Sequence, residues 1–349
     1  MGGNNPVAVQ TMWKAPLLPK DLEGEAGRAI VRRIEALSAI GCDLLRFAVP
    51  DIKTAETLGA LASRVSTPLC ADIHFDYRIA LRCLDFPIAK LRINPGNIGG
   101  KSRTEAVLAK AAAKKVPIRI GVNAGSLPLA LRKKLEEGKT GRAEALVEAA
   151  LEEIAVFDKF GFTDFVVSMK ASGIADTIKA NRLFRKQNAA PLHIGVTEAG
   201  PLVAGSVRSA AALLPLLTEG IGDTLRVSLS DTMENEVIAA REILFAAAEA
   251  GCTRARGGAR IISCPRCGRN GFDTHAFTER WMRRLYALEK PLSIAVMGCA
   301  VNGPGEAKHA DLGITGAGNK VLIFRHGKVL RTINADDADK AFEEELLKL

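Results

Sequence analysis

The chain has 349 residues, of which 48% are apolar and 5% aromatic, and its formal charge is +9. No apolar run reaches the roughly 20 residues that span a bilayer, and the first residues contain no secretory signal, so the sequence predicts a cytoplasmic protein without a membrane partner. It also lacks a Lys/Arg block and an RNA-binding aromatic signature, which argues against nucleic acid and leaves an anionic substrate or an acidic protein to explain the charge.

Eight short runs rich in β-branched residues predict strands in the N-terminal three quarters of the chain. They span residues 6–12, 43–49, 68–73, 88–94, 117–123, 164–170, 192–198 and 224–230. Helical patterns that end at glycine lie between most of them, such as Ile30, Ile34 and Leu37 before Gly41. The repeated strand–helix unit predicts an α/β fold, a TIM (β/α)8 barrel over residues 1–250.

Polar and apolar residues alternate within these strands. Successive strand side chains point to opposite faces, so the apolar set can pack under the helices while the polar set faces the barrel axis. Most of the polar set lies near the carboxyl ends of the strands, where barrel enzymes place their chemistry. The set comprises Arg46, Asp72, His74, Arg92, Asn94, Arg119, Asn123, Lys170, Glu198, Arg226 and Ser228.

Five of these side chains are cations that would share one opening. At about 6 Å and an effective dielectric near 20, each like-charged pair costs roughly 3 kcal/mol, which Asp72 and Glu198 offset only in part. A bound anion would relieve this repulsion, and guanidinium groups match phosphate oxygens, so the pattern predicts a small substrate with two phosphates. The alternative is a set of salt bridges in an ordinary barrel, but barrel interiors are normally filled by branched apolar layers.

A second unit is predicted over residues 259–349, after a linker at 251–258. A strand at 260–263 runs into Cys264 and Cys267, a helical stretch follows around 277–288, and a strand at 292–297 leads to Cys299. Two cysteines at this spacing and a third on a neighbouring strand predict thiolate ligands of one metal centre. Glu306 is the candidate for a fourth, easily displaced ligand of a cubane cluster.

The cysteine spacing does not indicate which metal is bound. A structural zinc site could use the same three thiolates with His275 or His309. His193 and His326 are interpreted as ordinary strand or turn residues. The remaining cysteines lie singly in or beside apolar segments and are predicted to be buried and inert: Cys42, Cys70, Cys83 and Cys252.

Several segments resemble one family, the bacterial 4-hydroxy-3-methylbut-2-enyl diphosphate synthases of the methylerythritol phosphate route to isoprenoids. The resemblance covers almost the whole chain and includes residues 9–12, 71–81, 91–99, 117–126, 197–200, 219–229 and 298–306. It implies an oxidoreductase of terpenoid biosynthesis that opens and dehydrates 2-C-methyl-D-erythritol 2,4-cyclodiphosphate. It also implies that a [4Fe–4S] cluster delivers two electrons, one at a time.

The resemblance assigns roles to individual residues. The cluster ligands would be Cys264, Cys267, Cys299 and Glu306. The diphosphate would be held by Arg46, Arg92, Arg119, Lys170 and Arg226, with His74 and Asn94 in the same substrate site. The reacting carbons would be surrounded by Asp72, Asn123, Glu198, Ser228 and Asn302. The catalytic residues would be Glu198, Glu306 and Asn302, with Glu198 delivering the proton.

The resemblance also implies an assembly and an electron donor. The C-terminal unit would be a small α+β iron–sulfur domain like the cluster domain of sulfite and nitrite reductases. Two chains would pair head to tail in a homodimer, so that the cluster of one subunit closes the barrel of the other. A small acidic flavodoxin or ferredoxin would suit the basic surface as electron donor.

Two other functions are compatible with part of the pattern. One is a non-redox TIM-barrel enzyme of the pterin-binding kind, with a zinc module as a structural clip. The other is a nucleic-acid-binding protein with a zinc knuckle, which the inward arginines do little to support.

Overall fold

The computed structural model describes residues 2–94, 98, 100–255, 258–288, 290–300, 303, 305 and 307–349, without the side chains of residues 101 and 126. The chain divides into two units, Met1–Arg256 and Gly257–Leu349. The division falls inside the segment 251–258, which the sequence analysis interprets as a linker. Within the described residues, no helix is both long enough and apolar enough to cross a membrane.

The strands of the first unit form one parallel sheet that closes into a barrel. They are β1 (Ala8–Met12), β2 (Leu44–Ala48), β3 (Leu69–Asp72), β4 (Lys90–Ile93), β5 (Ile118–Asn123), β6 (Phe165–Lys170), β7 (His193–Ile194) and β8 (Thr224–Leu225). The strand order is β6-β5-β4-β3-β2-β1-β8-β7, and a parallel bridge between Val167 and Leu192 joins the two ends of the sheet. The predicted TIM barrel is therefore confirmed.

Helices connect the barrel strands, as the βαβ pattern predicts. They are α1 (Gly24–Ala39), α2 (Ile52–Ala62), α3 (Tyr77–Cys83), α4 (Lys101–Lys114), α5 (Leu129–Glu136), α6 (Arg142–Lys159), α7 (Ile174–Gln187), α8 (Leu202–Thr218) and α9 (Met233–Glu249). Local chemistry sets several of their ends. The Asp51 carboxylate caps α2 by accepting from the Thr54 amide at 2.7 Å, and Gly41 follows α1 with a φ of +104°.

Strand register explains why polar side chains meet inside the barrel. In β4 and β5, Leu91 pairs with Ile118 and Ile93 with Ile120, and all four side chains are fully buried on the outer face. The register pairs Arg92 with Arg119 between them, so these two side chains lie next to each other on the inner face. The same alternation places the other inward residues on the inner face of the barrel.

All eight barrel strands are shorter than their predicted runs, and the difference is largest for β7 and β8, which each contain two residues. A Cβ on Gly195 would lie 2.6 Å from the Arg226 carbonyl oxygen, so the two segments approach closely through their backbones. Beyond that point hydrogen bonding continues without a regular ladder, for example from the Thr197 amide to the Ala171 carbonyl at 3.0 Å.

The second unit has its own sheet of mixed direction. Its elements are β9 (Arg260–Ser263), α10 (Thr274–Tyr286), β10 (Ser293–Met297), β11 (Leu312–Ala317), β12 (Lys320–Arg325), β13 (Lys328–Asn334) and α11 (Ala338–Leu346), and the strand order is β13-β12-β11-β10-β9. β9 and β10 are parallel, whereas β11, β12 and β13 are antiparallel neighbours. β9, α10 and β10 were predicted from sequence, whereas the elements after them were not.

Both helices of this unit pack on one face of its sheet. Phe277 and Trp281 of α10 and Phe342 of α11 share a buried cluster with apolar residues of β10, β11 and β12. The Trp281 and Phe342 rings meet edge to face, with centroids 5.0 Å apart. This arrangement confirms a separate α+β unit, while its likeness to a reductase cluster domain stays a prediction.

Candidate active site

A cavity of about 220 Å³ opens at the carboxyl ends of the barrel strands. Side chains from every strand segment of the barrel contribute to it. The described residues that line it are Met12, Arg46, Asp72, His74, Arg92, Arg119, Gly121, Asn123, Ser168, Lys170, Thr197, Arg226 and Ser228. All five predicted cations are therefore brought to one cavity.

Some predicted site residues lie elsewhere. Asn94 is buried at the end of β4, and Glu198 is exposed in the turn after β7, and neither is among the described lining residues. Asn302 and Glu306 lie outside the residues that the structure describes. The roles assigned to all of these residues stay predictions.

Asp72 balances the charge on one side of the cavity. Its carboxylate accepts from Arg92 Nη1 at 3.0 Å and lies 3.4 Å from Arg46 Nε. Burial opposes ionisation of Asp72, but the hydrogen bond with His74 and the charges of Arg46 and Arg92 outweigh it and hold its pKa below the usual range. Asp72 therefore stays ionised and fixes two of the five cations.

Glu236 of α9 balances a second part of the cavity, and sequence reasoning missed it. It is 1% exposed and lies 3.2 Å from Arg226 Nη2 and 3.1 Å from Lys14 Nζ. Its carboxylate also accepts from Thr11 Oγ1 at 2.5 Å and from the Leu229 amide at 3.0 Å. A glutamate in the first turn of an amphipathic helix is normally expected at the surface. Only the tertiary structure shows that Glu236 is buried next to Arg226.

Two of the cations lack a directly paired carboxylate among the described residues. Among the described residues, neither Arg119 nor Lys170 forms an ion pair with a carboxylate, although they are only 3% and 7% exposed. Nε and Nη1 of Arg119 have no hydrogen-bond partner there. Burial, reinforced by neighbouring arginines, lowers the pKa of both groups well below their ordinary values. An anion in the cavity would relieve this cost, because it would return a counter-charge to buried cations.

Two further polar side chains, which were not predicted as site residues, lie in the barrel interior behind the cavity. Lys90 is fully buried on β4, and burial lowers its pKa to about 8, an effect that the neighbouring Cys70 partly opposes. His193, interpreted from sequence as an ordinary strand or turn residue, is also fully buried and lies 3.0 Å from Lys170 Nζ. Lys90 and His193 stand at inward-facing positions of β4 and β7, and the alternation of side chains along these strands is the sequence signal from which both could have been predicted.

Glu198 occupies an unusual backbone conformation. Its φ is +54°, in the left-handed region that non-glycine residues rarely adopt. Such strain occurs preferentially at functional sites, where the surrounding structure holds the residue in place. Glu198 shares this turn with Thr197, which directly precedes it and lines the cavity.

The cysteine-bearing segments of the second unit are held together through their backbones. The Cys264 amide donates to the Val296 carbonyl at 2.9 Å, and the Gly271 amide donates to the Gly298 carbonyl at 2.8 Å. Cys264 and Cys299 therefore follow neighbouring parallel strands at one end of the sheet, a placement suited to thiolate ligands of one centre.

The thiol groups themselves are not gathered. Among the described residues, no three Cys, His, Asp or Glu side chains are close enough together to hold a metal ion, and Cys267 is exposed. The iron–sulfur and zinc ligand sets therefore both stay predictions. The four cysteines predicted to be inert are buried, and none of the seven cysteines, all of which the structure describes, forms a disulfide.

Both units match models of one protein family. The GcpE TIM-barrel domain matches residues 1–241, and the GcpE protein C-terminal domain matches residues 260–348. The chain belongs to the GcpE family. The resemblance inferred from sequence motifs is thereby confirmed, and GcpE membership accounts for both the barrel and the unit that follows it.

Relatives in the GcpE family carry the name that the resemblance predicted. In Treponema pallidum (strain Nichols), a protein named 4-hydroxy-3-methylbut-2-en-1-yl diphosphate synthase (flavodoxin) is 52% identical, with 100% of this chain and 88% of the relative covered. A protein of the same name from Geobacter sulfurreducens is 43% identical, over 99% of this chain and 94% of the relative. These matches do not support the alternative of a non-redox pterin-binding enzyme.

Proposed function

We propose that this chain catalyses the reductive ring opening and dehydration of 2-C-methyl-D-erythritol 2,4-cyclodiphosphate to 4-hydroxy-3-methylbut-2-enyl diphosphate. The reaction takes up two electrons and, counted for the neutral acids, two protons, and it releases one water. Family membership and the names of the relatives support this proposal. The observation that carries it is the cavity lined by five cations, of which two are buried without a carboxylate partner among the described residues.

In this proposal the barrel residues bind and orient the diphosphate. Arg119 and Lys170 attract the phosphates because neither is paired with a carboxylate among the described residues, whereas Arg46, Arg92 and Arg226 are held in fixed positions by Asp72 and Glu236. Binding energy from the phosphates then positions the reacting carbons. Asn123 and Ser228, which also line the cavity, would contact the carbon skeleton.

The redox chemistry would come from a [4Fe–4S] cluster, which when bound supplies the electrons one at a time. The residues proposed to hold it are Cys264, Cys267, Cys299 and Glu306. Three thiols on two neighbouring strand ends and their loop are a suitable donor set for iron. Glu198, strained and adjacent to the cavity, is proposed to deliver the proton, and Asn302 to contact the substrate.

The partners follow from the same proposal. An acidic flavodoxin or ferredoxin is the proposed electron donor, in line with the word flavodoxin in the names of the relatives. A head-to-tail homodimer and a cytoplasmic location remain predictions from sequence.

The direct test is turnover by anaerobically reconstituted protein. With a chemical reductant, the iron-loaded chain should convert the cyclodiphosphate to the linear diphosphate, and iron and acid-labile sulfide should be present in comparable amounts. Retention of the starting material by iron-loaded protein would contradict the proposed function, and a zinc-only protein from anaerobic purification would contradict the cofactor.

The ligand assignment is tested separately. The variant Cys299→Ser should fail to retain iron, whereas Cys252→Ser, at a buried cysteine of the barrel unit, should retain it. A Cys299→Ser protein with normal iron content and full turnover would refute the assignment.

A further inference from the structure

A buried histidine links the cation Lys170 to the next strand of the barrel. His193 of β7 is fully buried, and Nε2 of its ring lies 3.0 Å from Lys170 Nζ. Nδ1 of the same ring lies 2.6 Å from Thr224 Oγ1 on β8. Both ring nitrogens are therefore engaged, so the imidazole cannot rotate without losing a hydrogen bond.

The chemistry of the partners assigns the tautomer. A charged lysine ammonium has only donors, so Nε2 of His193 must accept from Lys170 and Nδ1 must carry the proton that is donated to Thr224. Burial, followed by the charge of Lys170, lowers the pKa of His193 well below its ordinary value, which keeps the ring neutral. Lys170 is thus held by an acceptor that carries no charge.

We propose that His193 is a positioning residue, which fixes Lys170 Nζ in the anion site and leaves the ammonium charge available to the bound phosphate. This inference rests on the proposed function, in which Lys170 binds the diphosphate. The contrast with the other cations supports it, since Asp72 and Glu236 hold Arg92 and Arg226 by carboxylates that cancel part of their charge. A neutral imidazole orients Lys170 without that cancellation.

The backbone of β7 makes room for the same ammonium. Gly195 follows His193 by two residues and therefore faces the interior on the same side of the strand. A Cβ at Gly195 would lie 2.9 Å from Lys170 Nζ. The His193 side chain thus holds Lys170, and the next inward position, Gly195 just after β7, has no side chain that would displace the ammonium.

A bound anion should stabilise the ammonium form of Lys170. Burial lowers the pKa of Lys170, and three arginines lower it further, so a bound anion that offsets these charges acts in the opposite direction. The charged and titratable groups that act on Lys170 and His193 are Arg119, Arg226, Arg46, Glu236 and Lys90.

The test compares two amides at position 193 with inorganic pyrophosphate as the probe. In His193→Gln the side-chain oxygen can reach the place of Nε2 and still accept from Lys170, whereas in His193→Asn it reaches only the place of Nδ1. We expect His193→Asn to weaken pyrophosphate binding to the full-length protein by about tenfold or more, and His193→Gln to change it by less than about threefold. Equal affinities of the two variants would overturn the proposal.

A double-mutant cycle separates positioning from a merely structural role. If His193 acts through Lys170, His193→Asn should have no further effect on pyrophosphate affinity once Lys170 is replaced by Met. Additive effects would overturn the proposal. Ser209→Ala is the control and should leave pyrophosphate binding unchanged, because this fully buried residue of α8 is not among the described lining residues and its hydroxyl has no hydrogen-bond partner among the described residues.

The outcomes are distinguishable from failure of the proposed function. Pyrophosphate binding needs neither the cluster nor the natural substrate, so absence of turnover would leave the test at position 193 intact. Unchanged pyrophosphate affinity in Lys170→Met would show that the lysine is not part of the anion site and would overturn the inference at its premise.

Discussion

Arg119 and Arg226 share one cavity but differ in how their charges are balanced. Arg226 lies 3.2 Å from the Glu236 carboxylate, whereas two nitrogens of Arg119 have no hydrogen-bond partner among the described residues. A buried charge without a counter-charge destabilises the empty protein and is stabilised by a bound anion. Arg119 should therefore contribute more than Arg226 to anion affinity, at a greater cost to the stability of the unliganded fold.

This difference predicts opposite effects of Arg119→Met on stability and on binding. The free energy of unfolding without ligand should rise by about 1 kcal/mol or more, because a buried charge without a paired carboxylate among the described residues is removed. The KM for the cyclodiphosphate should rise about 30-fold or more. Urea unfolding and steady-state kinetics measure the two quantities.

The control for Arg119→Met is Arg182→Met, which removes an exposed arginine paired with Glu219 at 2.5 Å. It should change the free energy of unfolding by less than about 1 kcal/mol and leave KM unaltered. Loss of stability in Arg119→Met would show that the guanidinium is balanced by contacts outside the described residues.

Lys90 should make the stability of the protein depend on pH. Burial lowers the pKa of Lys90 from 10.5 to about 8, so between these values the unfolded chain binds more protons than the folded chain. Stability therefore rises with pH across that window, and below about pH 8 the folded state carries the full cost of roughly 3 kcal/mol. Lys90→Met should remove this rise, whereas the same change at the exposed Lys133 should not. Parallel stability curves for wild type and Lys90→Met between pH 7 and pH 10.5 would contradict the assignment.

At the scale of strands and loops, glycine determines how closely the cysteine-bearing segments approach. A Cβ on Gly316 of β11 would lie 2.7 Å from the Gly271 backbone carbon and 2.9 Å from the Gly298 carbonyl oxygen. Gly271 belongs to the loop after β9. Gly298 belongs to the turn after β10 and directly precedes Cys299. The middle strand of the sheet thus lacks a side chain where the two loops pack on it.

Gly316→Ala should separate these loops and impair iron binding. We expect the free energy of unfolding to fall by about 1–3 kcal/mol and the iron content of reconstituted protein to decrease. Gly268→Ala is the matched control, because a Cβ at that position meets no atom within 4 Å. Equal iron content in the two variants would show that the close approach has no bearing on the metal centre.

Strand existence and phase in the barrel were predictable, but strand length there and the later strands of the second unit were not. All eight predicted strands are present, because alternation of apolar and polar residues is a local signal. The hairpin formed by β12 and β13 was missed although its turn, His326 with φ +46° and Gly327 with φ +76°, has the geometry typical of a tight hairpin. His326 is not a usual residue for that turn, so the local signal was weak.

At the scale of the whole molecule, the formal charge of +9 should affect the binding of the proposed electron donor, flavodoxin, differently from the binding of the cyclodiphosphate. Exposed charges that attract an acidic electron donor are screened by salt, whereas the buried cations of the cavity are screened much less. Raising NaCl from about 50 mM to about 300 mM should increase the KM for flavodoxin about fivefold or more, with a smaller change for the cyclodiphosphate.

Methyl viologen reduced chemically provides the control for the salt experiment, because it does not depend on attraction to a basic surface. Its KM should not rise with salt. A KM for flavodoxin that is independent of salt would argue against an electrostatic docking site on this chain.

The sequence by itself determined the barrel, the second unit, the inward cations and the family. These features rest on local periodicity, on turn residues and on motifs, all of which are readable without knowing which segments meet. Even the convergence of Arg46, Arg119 and Lys170 followed from strand phase, because a closed barrel directs one face of every strand to a common interior.

Only the tertiary structure decided how those cations are balanced. Glu236 lies on α9 and Arg226 on the strand segment before it, and His193 is separated from Lys170 by the whole of α7, yet each holds its cation at about 3 Å. Counter-charges and neutral acceptors are set by distances across strands and helices, and distance in a folded chain has no signature in composition or period. For that reason the sequence predicts which side chains enter the cavity, and the fold decides which of them remain free to bind an anion.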